Sequence, residues 1–397
     1  MPGALPTTSR DLPTATSRKP SMIARIRLLL LPALFGLWSG TASAYELAMY
    51  VWTAPTGEAA ADCELVMVRP VPERMTLGSP SWSADESKLA FNASYHGRDA
   101  HLFVHELESG QTRHLGSGTV PSWNPDGEEI VFRRVSNRWK TVGVYALDAD
   151  LDIPTDEIDE RPKGNSETDD SLRNPRLICD SPGWPFFTPD GRSLFLMTEG
   201  KIWTRPSRVD LFDLESETLH PITMPEGVAM RSVANLSGER FFTVVAQDGE
   251  DETTARVSQF HFGGQPGDGG AIAAEEQTIV TAAQMDALLP DGLEFVSFVE
   301  PRGAIETGDT FVSLKVRRTN DAPDAESGKP FGQIWLFPAG GAGQPHAIVQ
   351  GWPGVALRDF APNGTGSQLV FCSDLIQENE QDDGPKFAED FLVEPAE

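Results

Sequence analysis

The sequence predicts an all-β fold: a six-bladed β-propeller closed by the N-terminal strands, which complete the C-terminal blade. Two repeated patterns favour this fold. An aromatic residue, a tight turn and an apolar run recur at residues 80–91, 121–132 and 185–196. A strand, a polar turn and a second strand recur at residues 101–115 and 209–222. Because short strands that repeat about every 40–60 residues are typical of propellers, the two patterns together describe one four-stranded blade.

The first pattern supplies the inner two strands of a blade and the turn between them. Its aromatic residue belongs to the inner strand, and we predict that it packs between blades. An Asp side chain in a Pro-Asp-Gly turn hydrogen-bonds backbone groups of that turn. We therefore predict structural roles for Trp82, Trp123, Phe187, Asp85, Asp126, Asp190, Gly127 and Gly191.

The later blades are predicted from weaker copies of the pattern. The predicted strands are 240–245 and 256–260 in blade four, 294–299, 310–317 and 333–337 in blade five, and 369–371 in blade six. A short helix is predicted at 281–289, because Thr281 and Gln284 fit a capping box and Pro290 ends the run. Residues 290–292 could instead form a turn of blade five. A seventh blade is an open alternative.

Strands near the two ends of the chain predict how the ring closes. Residues 64–68 and 74–77 have the pattern of an outer strand pair without inner strands, while the last blade has inner strands without an outer pair. Joining the two sets removes exposed strand edges, which favour aggregation. We therefore expect residues 64–68 to pair beside residues 369–371.

This closure brings two of the three cysteines together. Alignment of the last blade on the first puts Cys63 and Cys372 at facing positions of adjacent strands. Exported proteins retain disulfides, and the separation of such positions suits one. We predict a disulfide between Cys63 and Cys372, with two buried, reduced cysteines as the alternative; Cys179 stays unpaired.

Residues 1–44 have the three-part form of a secretory signal peptide. Arg25 and Arg27 precede an apolar run at 28–38, and small residues at 41–44 suit cleavage. The run is shorter than a membrane span, although a retained anchor is the alternative. We predict a periplasmic or secreted protein without a transmembrane anchor after cleavage. Its propeller spans 45–376, and an acidic tail spans 377–397.

The charge of the chain limits its partners. With 59 acidic and 32 basic residues, its formal net charge is −27 at pH 7. Such a body repels phosphate backbones and anionic lipid surfaces. We therefore predict no nucleic-acid partner, and we expect a solvated, acidic monomer.

Motifs that carry chemistry are sparse. The sequence contains no Gly-x-Ser-x-Gly elbow, no Gly-rich phosphate loop and no His-Glu-x-x-His. His101 and His105 lie on one strand face but too far apart to share a metal ion. Asp148, Asp150 and Asp152 alternate as in an EF-hand calcium loop, but the position that requires Gly is occupied by Ile153. We predict no cofactor and a solvated loop here, with Ca²⁺ binding as the alternative.

The segment Pro121-Ser122-Trp123-Asn124-Pro125-Asp126-Gly127, a WD-like repeat, resembles the TolB-type propeller repeat. It is also similar to repeats in the non-catalytic propellers of prolyl-oligopeptidase-like proteins. The TolB resemblance implies a periplasmic, non-enzymatic protein that binds other envelope proteins. TolB proteins, however, carry an α/β domain before the propeller, and only about 35 residues separate Tyr45 from the first repeat here. The resemblance therefore concerns the fold more than the role.

We predict a non-enzymatic propeller that acts as a protein-binding or scaffold module in the cell envelope or outside the cell. Its unknown protein partner would bind the propeller face, which insertions at 149–172, 264–280 and 319–331 would decorate. The alternatives are a hydrolase or lyase that uses carboxylates in the channel, or a carbohydrate- or calcium-binding propeller. Channel carboxylates with aromatic neighbours and raised pKa values would favour an enzyme. A broad exposed apolar patch would favour a protein partner.

Overall fold

Six β-sheets, one for each propeller blade, make up the part of the chain that the computed structural model describes. The described residues are 46–56, 61–68, 75–95, 99–135, 141–150, 175–198, 208–232, 235–247, 254–262, 270–319, 328–351 and 357–375. They belong to one compact unit, Ser43–Glu397. The predicted signal peptide, most of the predicted calcium loop and the acidic tail lie outside the described residues.

The first ten strands form blades one and two and part of blade six. Strands β1 (Glu46–Thr53) and β2 (Asp62–Val68) belong to blade six. Blade one contains β3 (Met75–Trp82), β4 (Lys88–Tyr95), β5 (Asp99–Glu106) and β6 (Thr112–Ser117). Blade two contains β7 (Thr119–Trp123), β8 (Glu129–Val135), β9 (Thr141–Asp148) and β10 (Arg176–Cys179). Both blades have the strand order that the repeats predict.

One parallel strand pairing links blades three and four. Blade three contains β11 (Trp184–Phe187), β12 (Ser193–Thr198), β13 (Arg208–Asp213) and β14 (Thr218–Thr223). Blade four contains β15 (Val228–Met230), β16 (Asn235–Ser237), β17 (Arg240–Gln247), β18 (Arg256–His261) and β20 (Glu275–Thr281). Between them, β19 (Ile272–Ala273) pairs in parallel with β14. The predicted insertion at 264–280 is therefore partly wrong, since its second half forms β19 and most of β20.

The predicted helix between blades four and five is confirmed as α1 (Ala282–Leu288). Gln284 N donates to Thr281 Oγ1 at 3.2 Å, and Thr281 N donates to Gln284 Oε1 at 2.9 Å, which completes the capping box. A turn at Pro290 then leads into blade five. That blade contains β21 (Leu293–Gly303), β22 (Thr310–Arg318), β23 (Phe331–Phe337) and β24 (His346–Gln350), with a 3-10 turn at Ala339–Gly341.

The N-terminal strands complete the C-terminal blade, as predicted. Blade six has the order β25-β26-β1-β2, where β25 is Leu357–Pro362 and β26 is Gln368–Leu375. The expected partner of residues 369–371 is nevertheless wrong, because β1 pairs there and residues 64–68 lie one strand further out. Residues 74–77 are also reassigned, since 75–77 begin the inner strand of blade one. The sequence analysis assigned no strand to residues 46–53. The Tyr50 ring of this segment stacks on the Phe371 ring, with 5.4 Å between the ring centroids.

This strand order removes the basis for the predicted disulfide. Cys63 pairs with Trp52 across β2 and β1, whereas Cys372 pairs with Met49 across β26 and β1. The two cysteines are therefore on strands separated by β1, and their expected adjacency is wrong. Two strand spacings amount to about 9.5 Å, while a disulfide needs Cα atoms closer than about 7 Å.

Apolar side chains fill the interfaces between neighbouring blades. The described residues form six buried clusters, and each cluster joins one pair of adjacent blades. Because side chains alternate along a strand, one strand serves two interfaces: Ile130 and Phe132 face blade one, and Val131 faces blade three. Burial of each such side chain contributes about 1.5–3 kcal/mol. In the described ranges, no helix is both long and apolar enough to cross a bilayer.

Candidate functional site

Inner strands from all six blades line a cavity of about 380 Å³, which we name the channel cavity. Its walls come from β3, β7, β11, β16, β21 and β25, so it lies on the axis that the six sheets surround. Its aromatic lining residues are Trp82, Trp123, Trp184, Phe186 and Phe187. Its charged lining residues are Glu86, Glu300, Arg302, Glu306 and Asp359.

The predicted aromatic residues connect blades and also line the cavity. The Trp82 indole N–H donates to Ala361 O at 2.9 Å, and that of Trp123 donates to Ser81 O at 3.1 Å. Phe187 N donates to Ser122 Oγ at 3.2 Å. Each bond joins one blade to the preceding blade. The structure places these aromatic side chains between blades, as predicted, and also in the lining of the cavity.

The predicted turn aspartates accept hydrogen bonds within their own turns. Asp126 Oδ1 accepts from Glu128 N at 2.8 Å, and Asp190 Oδ1 accepts from Arg192 N at 3.1 Å. Asp85 accepts from the hydroxyls of Ser83 and Ser87 at 2.6 and 2.7 Å. Hydrogen bonds from neighbouring hydroxyls hold the pKa values of Asp85 and Asp190 below their ordinary values.

One residue of each turn adopts a left-handed backbone. Gly127 and Gly191 have φ values of 79° and 68°, and Glu86 takes the same position with φ 58°. A non-Gly residue in this region is uncommon. Glu86 uses its side chain at the cavity rim, where its Oε2 accepts from Asn363 Nδ2 of blade six at 2.9 Å. The bond adds a polar contact across the closing seam between blades six and one.

A β-bulge recurs in the inner strands and places Asp359 in the cavity lining. The pairing of β3, β7 and β25 with their neighbours shifts register at Ser79, Val120 and Asp359, which have φ values of 49°, 53° and 44°. Bulges redirect side chains, and such strained residues concentrate at functional sites. The Asp359 carboxylate extends to Gly78 of blade one, where Oδ2 is 3.0 Å from the point that a Cβ would occupy. Gly78 therefore leaves room for this carboxylate.

Glu300 is the most buried acid in the cavity lining, with 9% of its surface exposed. Phe360 N donates to Glu300 Oε1 at 3.4 Å, and Arg302 Nη2 is 3.7 Å from Glu300 Oε2. Burial raises the pKa of Glu300. The Arg302 charge lowers it, and the Asp359 charge raises it, so the net direction is upward. Glu300 therefore retains its proton to a higher pH than an exposed Glu.

Several polar groups at the cavity are buried without a bonding partner among the described residues. They are Ser237 Oγ, Trp184 Nε1 and Arg302 Nε, which come from blades four, three and five. Only 3% of Ser237 is exposed. Buried polar groups in native proteins are normally hydrogen-bonded, and an unbonded one costs about 1–3 kcal/mol. The three atoms are buried beneath the cavity surface and are not open to a molecule in the cavity.

The sequence argument named none of Glu300, Arg302 and Asp359. The sequence analysis gave channel carboxylates as a general alternative, and the structure contains such carboxylates. The sequence did not show which residues they are. A signal was present: Glu300 and Arg302 stand two residues apart in a strand, and so on one face. Asp359 precedes the apolar pair Phe360–Ala361 that continues the inner strand. Neither signal separates a channel residue from a solvent-facing one without the ring geometry.

None of the described histidines lines the cavity, and neither do Asp148 and Asp150 at the start of the acidic loop. His101 Nδ1 lies 3.1 Å from His114 Nε2 on the next strand. Within the described ranges, no three His, Cys, Asp or Glu residues are grouped to hold a metal ion. Asp150 is 3.5 Å from Arg113 Nη2, and the rest of the predicted calcium loop, from Asp152, lies outside the described residues.

The solved structures that resemble this chain do so at low sequence identity. No protein-family model and no curated protein matches the chain. Hydrazine synthase of Kuenenia stuttgartiensis is 12% identical over 77% of this chain and 76% of its own, with a TM-score of 0.44. A prolyl endopeptidase is 12% identical over 76% of this chain and 47% of its own, with a TM-score of 0.42. The β-propeller domain of the Trilobed protease from Pyrococcus furiosus is 13% identical over 73% of this chain and 89% of its own, with a TM-score of 0.38.

Proposed function

We propose that the protein binds a small polar ligand of the carbohydrate class in the channel cavity. The observation that carries this proposal is the cavity lining, which combines five aromatic side chains with the charged groups of Glu300, Arg302 and Asp359. The cavity volume of about 380 Å³ falls within the range of small-molecule pockets, about 300–1,000 Å³.

The chemistry of the walls suits a sugar. Aromatic rings such as Trp82 and Trp184 offer flat apolar faces for the C–H groups of a sugar ring. Sugar hydroxyls both donate and accept hydrogen bonds. Arg302 donates only, Asp359 accepts when ionised, and a protonated Glu300 does both. A ligand with many hydroxyl groups can therefore bond all of these groups together.

A protein-binding scaffold has less support in the described residues. Their exposed large apolar side chains are Leu177, Leu219, Leu288 and Ile305, which lie on different elements. Protein-binding surfaces are usually contiguous apolar patches. Three further points are predictions from the sequence. They are export to the periplasm or the medium, a monomeric state, and a protein partner at the propeller face.

The test is binding of simple sugars by the full chain. Thermal-shift and calorimetric titrations with neutral mono- and disaccharides should show saturable binding. Trp184→Leu and Phe186→Leu should weaken it about fivefold each, because each removes an aromatic face from the cavity wall at a cost of about 1 kcal/mol. Leu219→Ala, an exposed side chain of blade three outside the cavity lining, is the matched control. No saturable binding of any sugar would contradict the proposal.

A further inference from the structure

Two carboxyl groups from different blades converge at the channel cavity. Glu300 is on β21 of blade five and Asp359 on β25 of blade six, and both line the cavity. The hydrogen bond from Phe360 N to Glu300 Oε1, at 3.4 Å, holds the Glu300 carboxyl against the backbone next to Asp359. Asp359 has a left-handed backbone, with φ 44°. Such strain persists where the surrounding structure maintains it.

The environments of the two groups separate their roles. Two carboxyl groups close together in a low dielectric do not ionise together, so one retains a proton. Glu300 is the more deeply buried of the two, and burial raises its pKa. The raised pKa suits Glu300 to donate a proton, which leaves the role of base to Asp359. The Arg302 guanidinium, with Nη2 3.7 Å from Glu300 Oε2, stabilises the Glu300 carboxylate once the proton has left.

We propose that the channel cavity hydrolyses a glycosidic bond, with Glu300 as the proton donor and Asp359 as the base that activates water. This inference rests on the proposed carbohydrate binding. The Glu300 proton passes to the glycosidic oxygen as the bond from that oxygen to the anomeric carbon breaks. A water oxygen bonds the anomeric carbon, and one water proton passes to Asp359. Solvent returns that proton to Glu300, so one water is consumed and two hydroxyl groups form.

The aromatic side chains position the sugar for this step. Trp184 and Phe186 come from blade three, whereas the two carboxyl groups come from blades five and six. Packing of a sugar ring against these aromatic faces would fix the sugar relative to Glu300 and Asp359. Orientation of this kind is a major part of catalysis. Their loss should therefore affect the Michaelis constant as well as the turnover number.

The experiment uses the full chain and 4-nitrophenyl α- and β-glycosides of glucose, galactose, mannose and xylose, as probes of both binding and release of nitrophenol. We expect turnover of at least one probe that binds. Glu300→Gln and Asp359→Asn should each lower kcat by about 10²–10⁴-fold while probe binding changes little. The matched control is Asp210→Asn, a buried acid of blade three that lies outside the cavity lining, and it should retain kcat within about twofold.

The pH profile separates a proton donor from a merely structural Glu300. The wild-type rate should fall at alkaline pH as Glu300 ionises, and this limb should be absent from the residual activity of Glu300→Gln. Probes that bind but are not cleaved would overturn catalysis and leave carbohydrate binding in place. Absence of binding would overturn both proposals. Products with a new carbon–carbon double bond would show elimination and overturn hydrolysis, as would full activity of Glu300→Gln or Asp359→Asn.

Discussion

Glu300 and Asp359 lie on the neighbouring inner strands β21 and β25, and the backbone N–H that follows Asp359 donates to Glu300 Oε1 at 3.4 Å. The two acids belong to different blades and are 59 positions apart in the sequence. Packing of blade six beside blade five brings them to one cavity. A buried acid with a raised pKa beside a second carboxylate is the arrangement typical of functional sites, so this pair is where the molecule departs most from a purely structural propeller.

Replacement of Glu300 by Gln should change how stability depends on pH. Because the folded pKa of Glu300 is raised, its contribution is fully present below its unfolded pKa, about 4.3, and is lost as pH rises through the folded value. Glu300→Gln removes this loss, so the variant should gain on the wild type in melting temperature as pH rises above about 4.3. Equal slopes of melting temperature against pH would contradict the prediction. Asp210→Asn should likewise gain on the wild type in melting temperature as pH rises, because burial also raises the pKa of Asp210.

Replacement of Trp82 by Phe should weaken the seam between blades one and six. The change removes the indole N–H that donates to Ala361 O at 2.9 Å. We expect a loss of about 1 kcal/mol in the free energy of unfolding, measured by urea titration. Trp123→Phe, which removes the corresponding bond to Ser81 O between blades one and two, is the matched comparison. Wild-type stability in both variants would show that these bonds do not hold the blades together.

Substitution of Gly127 tests whether its turn needs a left-handed residue. Its φ is 79°, and a Cβ there would meet no atom within 4 Å. Any loss in Gly127→Ala therefore comes from the backbone, and we expect about 1 kcal/mol. Gly127→Asn should lose less, because Asn adopts this conformation more readily. Equal stability of the Ala variant and the wild type, measured by thermal melting, would contradict this account.

Thiol alkylation tests the corrected strand order. With β1 between the strands that carry Cys63 and Cys372, their Cα atoms are too far apart for a disulfide. Alkylation of unfolded, unreduced protein followed by peptide mass spectrometry should therefore find both residues labelled. A peptide pair linked through Cys63 and Cys372 would show that the strand order of blade six is wrong. The same experiment reports on Cys179, whose thiol has a pKa raised by burial.

Part of the candidate site was accessible from sequence and part was not. Trp82, Trp123 and Phe187 were identified because the repeat marks them, and they line the cavity. Glu300 and Asp359 were missed because neither belongs to the repeated phrase. Their buried state depends on five other blades. Ser237 resembles any serine near a turn until the neighbouring blades remove its access to water.

Local patterns determined the blades of this protein. Turn chemistry and the alternation of apolar residues act over a few positions, so the strands, the helix at Thr281 and the ring of six sheets follow from short stretches of chain. Only the tertiary structure decided which N-terminal strand lies beside 369–371, because that choice depends on packing such as Tyr50 against Phe371. It also decided the chemistry of the channel, since the pKa of Glu300 depends on burial and on a charge 59 positions away.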